Sequence, residues 1–400
     1  MSGQSIAAGL ARFAAAGVLV FGLAGCVTTS RQAAVPMAQL DQTRILDVPN
    51  ARFFVDADPA PMYAEALRSL EKERAYAHVG GGGRLPPANF LAISGGGDDG
   101  AFGAGLLVGW SEQGTRPEFK LVTGISTGAL LAPFAFLGKR YDPHLAAMYT
   151  TITQKNIFIP RGILAAVTDD ALGDTSPLYG VITQYLSEPV IADIAREYDR
   201  GRLLLIATTN LDAGRPVIWN IGAIAKSKHP MAHTLMRRIL LASAAVPGAF
   251  PPVMFDMEID GRPYQELHVD GGAVAQAFLY PPSLSLKHAP AADARRRTAY
   301  IIRNSKLNVP FDETKRSTLP IAGRAIATLL ASSGVNDMYR MYLTTQRDGV
   351  GYNLAFIGND FTVPYPGMFD HGYMTALFEY GRAKGRAGYK WQKKPPGFSS

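Results

Sequence analysis

The chain has 400 residues, 47% of them hydrophobic and 18% charged, with a formal net charge of +7. That hydrophobic content excludes a disordered, solvated polypeptide, and the length is enough to bury a large core in one big α/β domain with additions. The single cysteine, Cys26, excludes an intramolecular disulfide and any paired-cysteine metal site. No His-Glu-x-x-His motif occurs, so no metal is expected. The basic excess does not cluster: Arg295-Arg296-Arg297 reads as a solvated loop ahead of a strand, and nothing suits nucleic acid. Mild basicity favours contact with anionic lipid, although a solubilising charge excess is the commoner reason for it.

After Arg12, residues 13–23 form an apolar run too short for a membrane span and suited to the core of a signal peptide. It ends in Leu23-Ala24-Gly25-Cys26, which resembles a bacterial lipobox. The resemblance implies that residues 1–25 are removed and that Cys26 is lipidated, anchoring the chain to a membrane. Val27, in place of the aspartate that resembles an inner-membrane retention signal, points to the outer membrane of a bacterial envelope. The plainer alternative is an ordinary signal peptide with an incidental cysteine.

Residues 26–88 read as a tether, to about 57, then an amphipathic helix that starts at Asp58-Pro59, runs to 74 and puts Leu67 and Leu70 on one side. Gly80 to Gly83 form a loop. A core spans 89–304. Its predicted strands cover 89–94, 119–123, 202–209, 217–221 and 298–303, and its helices include 106–110 and 129–137. Asp212 to Arg215 make a turn, and Ser176-Pro177 signals a helix start. The apolar stretches 157–160 and 162–167 are either core or the flank of an apolar substrate groove, with Phe158 and Ile159 as the residues that would touch a bilayer. Residues 305–400 read as a mainly helical extension packed on the core, with a helix over 321–346, a strand over 352–357 and a final helix capped at Asp370-His371. No internal repeat is evident.

Three segments carry chemistry. Gly124-Ile125-Ser126-Thr127-Gly128 joins a predicted strand to a predicted helix, the pattern of a nucleophile elbow that lifts Ser126 into the open at a helix N-terminus. Alone it is equally a capped helix start. Gly95-Gly96-Gly97 follows a strand and leads into a helix, so its N–H groups can point at an oxyanion. A dinucleotide fingerprint fits Gly95, Gly97 and Gly100 too, but the acid it needs would be Glu118, which precedes the second strand instead of ending it. His268-Val269-Asp270-Gly271-Gly272 offers a carboxylate whose burial would raise its proton affinity and make Asp270 a general base. By itself Asp-Gly is a turn. A Ser126, Asp270, His371 triad is allowed by chain order, yet His371 sits where a helix cap is the simpler reading, and His268 reads as a partly buried histidine.

Taken in order, these motifs resemble those of bacterial patatin-like phospholipases, and so does the small-residue and proline run from Ala242 through Ser243, Pro247 and Gly248 to Pro252 ahead of the aspartate. The likeness covers 89–304. It implies an α/β fold, a three-layer sandwich with a central, mostly parallel sheet flanked by helices. It also implies a Ser126–Asp270 dyad, an oxyanion hole from Gly95, Gly96 and Gly97, phospholipid or other acyl-ester substrates, and no cofactor. Two positions depart: Ser94 stands where many members have Asp, and Asp99 where many have Arg, so a cation is missing there. Asp98 and Asp99 read as solvated loop or cap residues. General esterase or acyltransferase chemistry, and a non-catalytic envelope lipoprotein, are the alternatives. No protein partner is implied.

Overall fold

The structure is a computed structural model describing residues 31–78, 83–161, 169–288, 295–307, 311 and 313–398. Cys26, the signal segment, most of the glycine loop at 80–83 and the apolar stretch 162–167 lie outside the described residues.

A nine-stranded sheet forms the middle layer. Its strands are β1 (Arg52–Phe53), β2 (Ala88–Ile93), β3 (Leu121–Gly124), β4 (Leu203–Asn210), β5 (Arg215–Asn220), β6 (Val253–Ile259), β7 (Arg262–Asp270), β8 (Arg297–Arg303) and β9 (Gly351–Phe356). The run β4-β3-β2-β8-β9 is parallel, whereas β5, β6 and β7 join through antiparallel pairs. Alternation along each strand divides the core into two layers. On β2, Leu91 and Ile93 face one apolar cluster, while Phe90 and Ala92 face the other.

Helices cover both faces. On the first lie α2 (Gly100–Gln113), α3 (Thr127–Leu137), α4 (Ala232–Ser243) and α6 (His371–Arg386). On the second are α1 (Ala60–Tyr76) and the C-terminal half of α5 (Thr318–Arg347), through Met62, Met338 and Met341. Because β2 and β3 are parallel, with Ile93 opposite Gly124, their carboxyl ends deliver the glycine loop and the Ser126 turn side by side. β7 brings Asp270 beside Thr208 of β4 at the same edge of the sheet.

Two segments are more integral than their sequence suggests. Residues 31–57 read as tether, but Leu40 and Ile45 enter the core and β1 pairs with β5. Residues 305–400 read as an extension, but β9 pairs with β8 inside the main sheet, and α6 packs on α2. Small residues permit that helix contact: a Cβ on Gly105 would lie 1.9 Å from the Phe378 carbonyl oxygen, and one on Gly109 2.0 Å from that of Arg382.

Candidate active site

Ser126 connects β3 to α3 in a strained backbone conformation, with φ 55° and ψ −128°. Non-glycine residues rarely adopt it, and such strain persists only where the surroundings over-determine it. The strain lies on the serine itself and not on the flanking glycines. Gly124 and Gly128 act through close packing instead. A Cβ on Gly124 would meet the Gly128 carbonyl oxygen at 2.4 Å, and one on Gly128 would meet the Ile93 carbonyl oxygen at 2.2 Å. The Ser126 N–H donates to Ser243 Oγ at 3.0 Å, and that hydroxyl donates to the Ala207 carbonyl at 2.7 Å.

Asp270 ends β7 and is fully enclosed by protein. Burial pushes its carboxyl up from 3.8 to about 7, against the opposing influence of the Ser126 hydroxyl and the Gly272 N–H. Oδ1 accepts from Gly272 N–H at 2.7 Å. Oδ2 is buried and has no hydrogen-bond partner among the described residues. The Ser126 hydroxyl therefore sits close enough to act on the carboxyl electrostatically without an aligned hydrogen bond, a loose arrangement common when no substrate is bound.

The glycine loop divides in function. Gly95 N–H donates to the Gln276 carbonyl at 3.0 Å, so Gly95 is not the free donor expected from the sequence; its role is contact, since a Cβ there would lie 3.1 Å from Ser126 Cβ. Gly96 and Gly97 N–H have no acceptor among the described residues. Gly96 adopts φ +156°, and a Cβ on it would come within 2.1 Å of the Asn304 carbonyl oxygen. Asn304 clamps the loop: its N–H donates to Ser94 Oγ at 2.9 Å, its Nδ2 donates to the Ser94 carbonyl at 2.9 Å, and its Oδ1 accepts from Gly103 N–H at 3.1 Å. Ser94 thus serves this clamp where a carboxylate would have stood. Neither Ser243 nor Asn304 stands out in the sequence as a site residue, though Ser243 lies in the small-residue run that carried part of the resemblance.

Asp98 and Asp99 are not free loop carboxylates, Asp98 being buried and Asp99 half-buried. Asp98 is buried and accepts from Phe369 N–H at 2.9 Å, and Asp99 accepts from the Tyr373 hydroxyl at 2.8 Å. Burial, opposed by that tyrosine, raises Asp99 from 3.8 to about 7. Ser126, Asp270, Gly96, Gly97, Asp99 and Arg303 share one cavity of about 600 Å³ whose exposed lining is mostly apolar. Arg303 puts a buried cation in its wall, with a long contact of 3.5 Å from Nη2 to the Ala331 carbonyl.

No described histidine lines that cavity. His268 is wholly buried with both ring nitrogens engaged, by Thr208 Oγ1 at 2.8 Å and by Glu266 at 3.0 Å. His371 bonds the Thr150 carbonyl at 2.8 Å, while Asp370 caps α6 through Tyr373 N–H at 2.8 Å. Among the described residues no group of histidine, cysteine or carboxylate side chains is placed to hold a metal. Phe158, expected near the bilayer, is buried against Phe250 and Phe369, whereas Ile159 is exposed.

Residues 91–280 match the family model of patatin-like phospholipases. No curated protein matches the chain. Among solved structures, the chain is similar to the crystal structure of VipD from Legionella pneumophila, at 12% identity and a TM-score of 0.31, covering 76% of this chain and 67% of that one. The ordered motifs, the α/β sandwich and the family match agree: residues 91–280 are a patatin-like phospholipase domain, which places the chain among lipid acyl hydrolases.

Proposed function

We propose that Ser126 and Asp270 form the catalytic dyad of a phospholipase A or lysophospholipase. The observation that carries this reading is the unpartnered, buried Oδ2 of Asp270 beside a strained serine at a helix N-terminus. A carboxylate with proton affinity near neutrality is a competent base for a hydroxyl. Asp270 takes the Ser126 proton as Oγ bonds to the ester carbonyl carbon. The oxygen of the tetrahedral intermediate becomes negative and is met by the N–H groups of Gly96 and Gly97, each donor being worth about 2.7–4 kcal/mol of barrier in comparable sites. The intermediate collapses, Asp270 returns the proton to the leaving alkoxide, and an acyl-serine remains. Water, deprotonated by Asp270, then attacks the acyl carbon; the proton passes to Ser126 Oγ and the fatty acid leaves. The apolar cavity wall suits an acyl chain, and Arg303 suits a phosphate or carboxylate near the ester.

A serine-directed fluorophosphonate tests the nucleophile. Covalent mass on the peptide containing Ser126, lost in Ser126→Ala, is the expected result, whereas labelling elsewhere or nowhere would exclude it. We further propose that Cys26 is lipidated and tethers the enzyme to the bacterial outer membrane. Incorporation of radiolabelled palmitate into the full chain, abolished in Cys26→Ala, is the matching measurement.

A further inference from the structure

The first half of α5 is exposed on every side. From 320 to 333 no described residue is buried and Arg324 is the only charged residue, whereas beyond Gly334 the same helix packs onto the sheet. Ile321, Ile326 and Leu329 are 51%, 48% and 69% exposed. Ile326, Leu329 and Leu330, with Ile321 at the start of the segment, give it a broad apolar face beside a narrower one of Arg324, Thr328 and Ser332, and an apolar face left in water calls for an apolar neighbour. Its location names that neighbour. Ile326, Leu329, Leu330 and Ala331 form part of the wall of the cavity that holds Ser126 and Asp270, so the segment rims the opening through which an acyl chain would enter. From 312 to 333 the sequence carries Lys315, Arg316 and Arg324 against Asp312 and Glu313, a small cationic excess that favours an anionic lipid surface. No helix among the described residues is long and apolar enough to cross a membrane, so the segment would lie in the interface.

We propose that residues 320–333 are a membrane-docking element that inserts into an anionic phospholipid surface and presents the cavity mouth to the acyl chains. The delivery part rests on the lipid-hydrolase reading above, but insertion does not, and the two are tested apart by using the full chain with Ser126→Ala. In that background Ile321→Trp is compared with Tyr76→Trp, an exposed site at the end of α1, on vesicles of phosphatidylcholine and phosphatidylglycerol. The expected result is a vesicle-dependent blue shift of emission for Ile321→Trp and none for Tyr76→Trp. With Cys26→Ala added to remove the lipid tether, Ile321→Asp should lower the vesicle-bound fraction relative to its Ser126→Ala, Cys26→Ala parent by roughly tenfold, the scale of losing one aliphatic anchor. Absence of a shift for Ile321→Trp overturns the proposal. So does a shift that appears without vesicles and grows with protein concentration, which would assign the face to a second copy of the chain.

Discussion

Ser243 holds the backbone of Ser126: its hydroxyl accepts from the Ser126 N–H and donates to the carbonyl of Ala207, a residue of β4. The strained turn is thereby tied to the sheet by a side chain 117 positions away. Ser243→Ala removes both bonds and leaves a buried N–H without its acceptor. The expected cost is about 1–3 kcal/mol of stability, with a lower kcat as the nucleophile loses its fixed position. Urea denaturation and ester hydrolysis on the same preparation check both effects.

Asp270 gives the protein a pH signature. As the proposed base it must be ionised, so kcat/KM should rise with pH through about 7, the value to which burial moves it. Stability should move oppositely. Between the ordinary value of 3.8 and about 7 the folded state binds a proton that the unfolded chain has lost, so stability falls as pH rises through that window and levels above it. Asp99, also raised to about 7, contributes the same trend. Asp270→Asn should therefore abolish activity while flattening only part of the stability profile, and Asp99→Asn should flatten a further part. Thermal unfolding from pH 4 to 8 measures this.

Adjacent glycines in the loop after β2 should respond differently. Gly96→Ala places a Cβ against the Asn304 carbonyl and in a backbone region that L residues avoid, so the loop must move and activity should be lost. Gly97→Ala meets nothing within 4 Å and keeps its N–H; at φ +59° it should cost about 1–2 kcal/mol of strain with activity largely retained. Side-by-side kinetics and melting curves separate steric from conformational demand.

These contrasts show what was legible in the sequence and what was not. The elbow, the Asp-Gly turn and the strands around them depend on spacing within a dozen residues, which the sequence displays directly. Capture of the Gly95 N–H by Gln276, the Asn304 clamp on Ser94 and the hydrogen bonds of Asp98 and Asp99 with Phe369 and Tyr373 join residues far apart in the chain. Residues 31–57 looked like tether because their apolar residues have no regular period, yet an irregular segment can still bury Leu40 and Ile45.

Behind the dyad, Arg52, Glu266 and His268 form a buried polar group, with Arg52 Nη1 2.6 Å from Glu266 Oε2. Burial would raise the Glu266 carboxyl, but His268 and Arg52 more than offset this and hold it at about 2. Its contribution to stability is therefore present above the ordinary value of 4.5 and lost as pH falls toward 2. Arg52→Met strands the carboxylate and should cost about 3–5 kcal/mol. Adding Glu266→Leu should recover part of that loss. A double-mutant cycle in guanidinium gives the coupling directly.

Fatty-acid release from mixed phospholipid vesicles by the full chain, beside Ser126→Ala and Asp270→Asn with folding verified by circular dichroism, tests the dyad most directly. The dyad predicts release by the unaltered chain and a fall of at least about a thousandfold in either variant. Undiminished release by either folded variant, or no release by the unaltered chain, would contradict it.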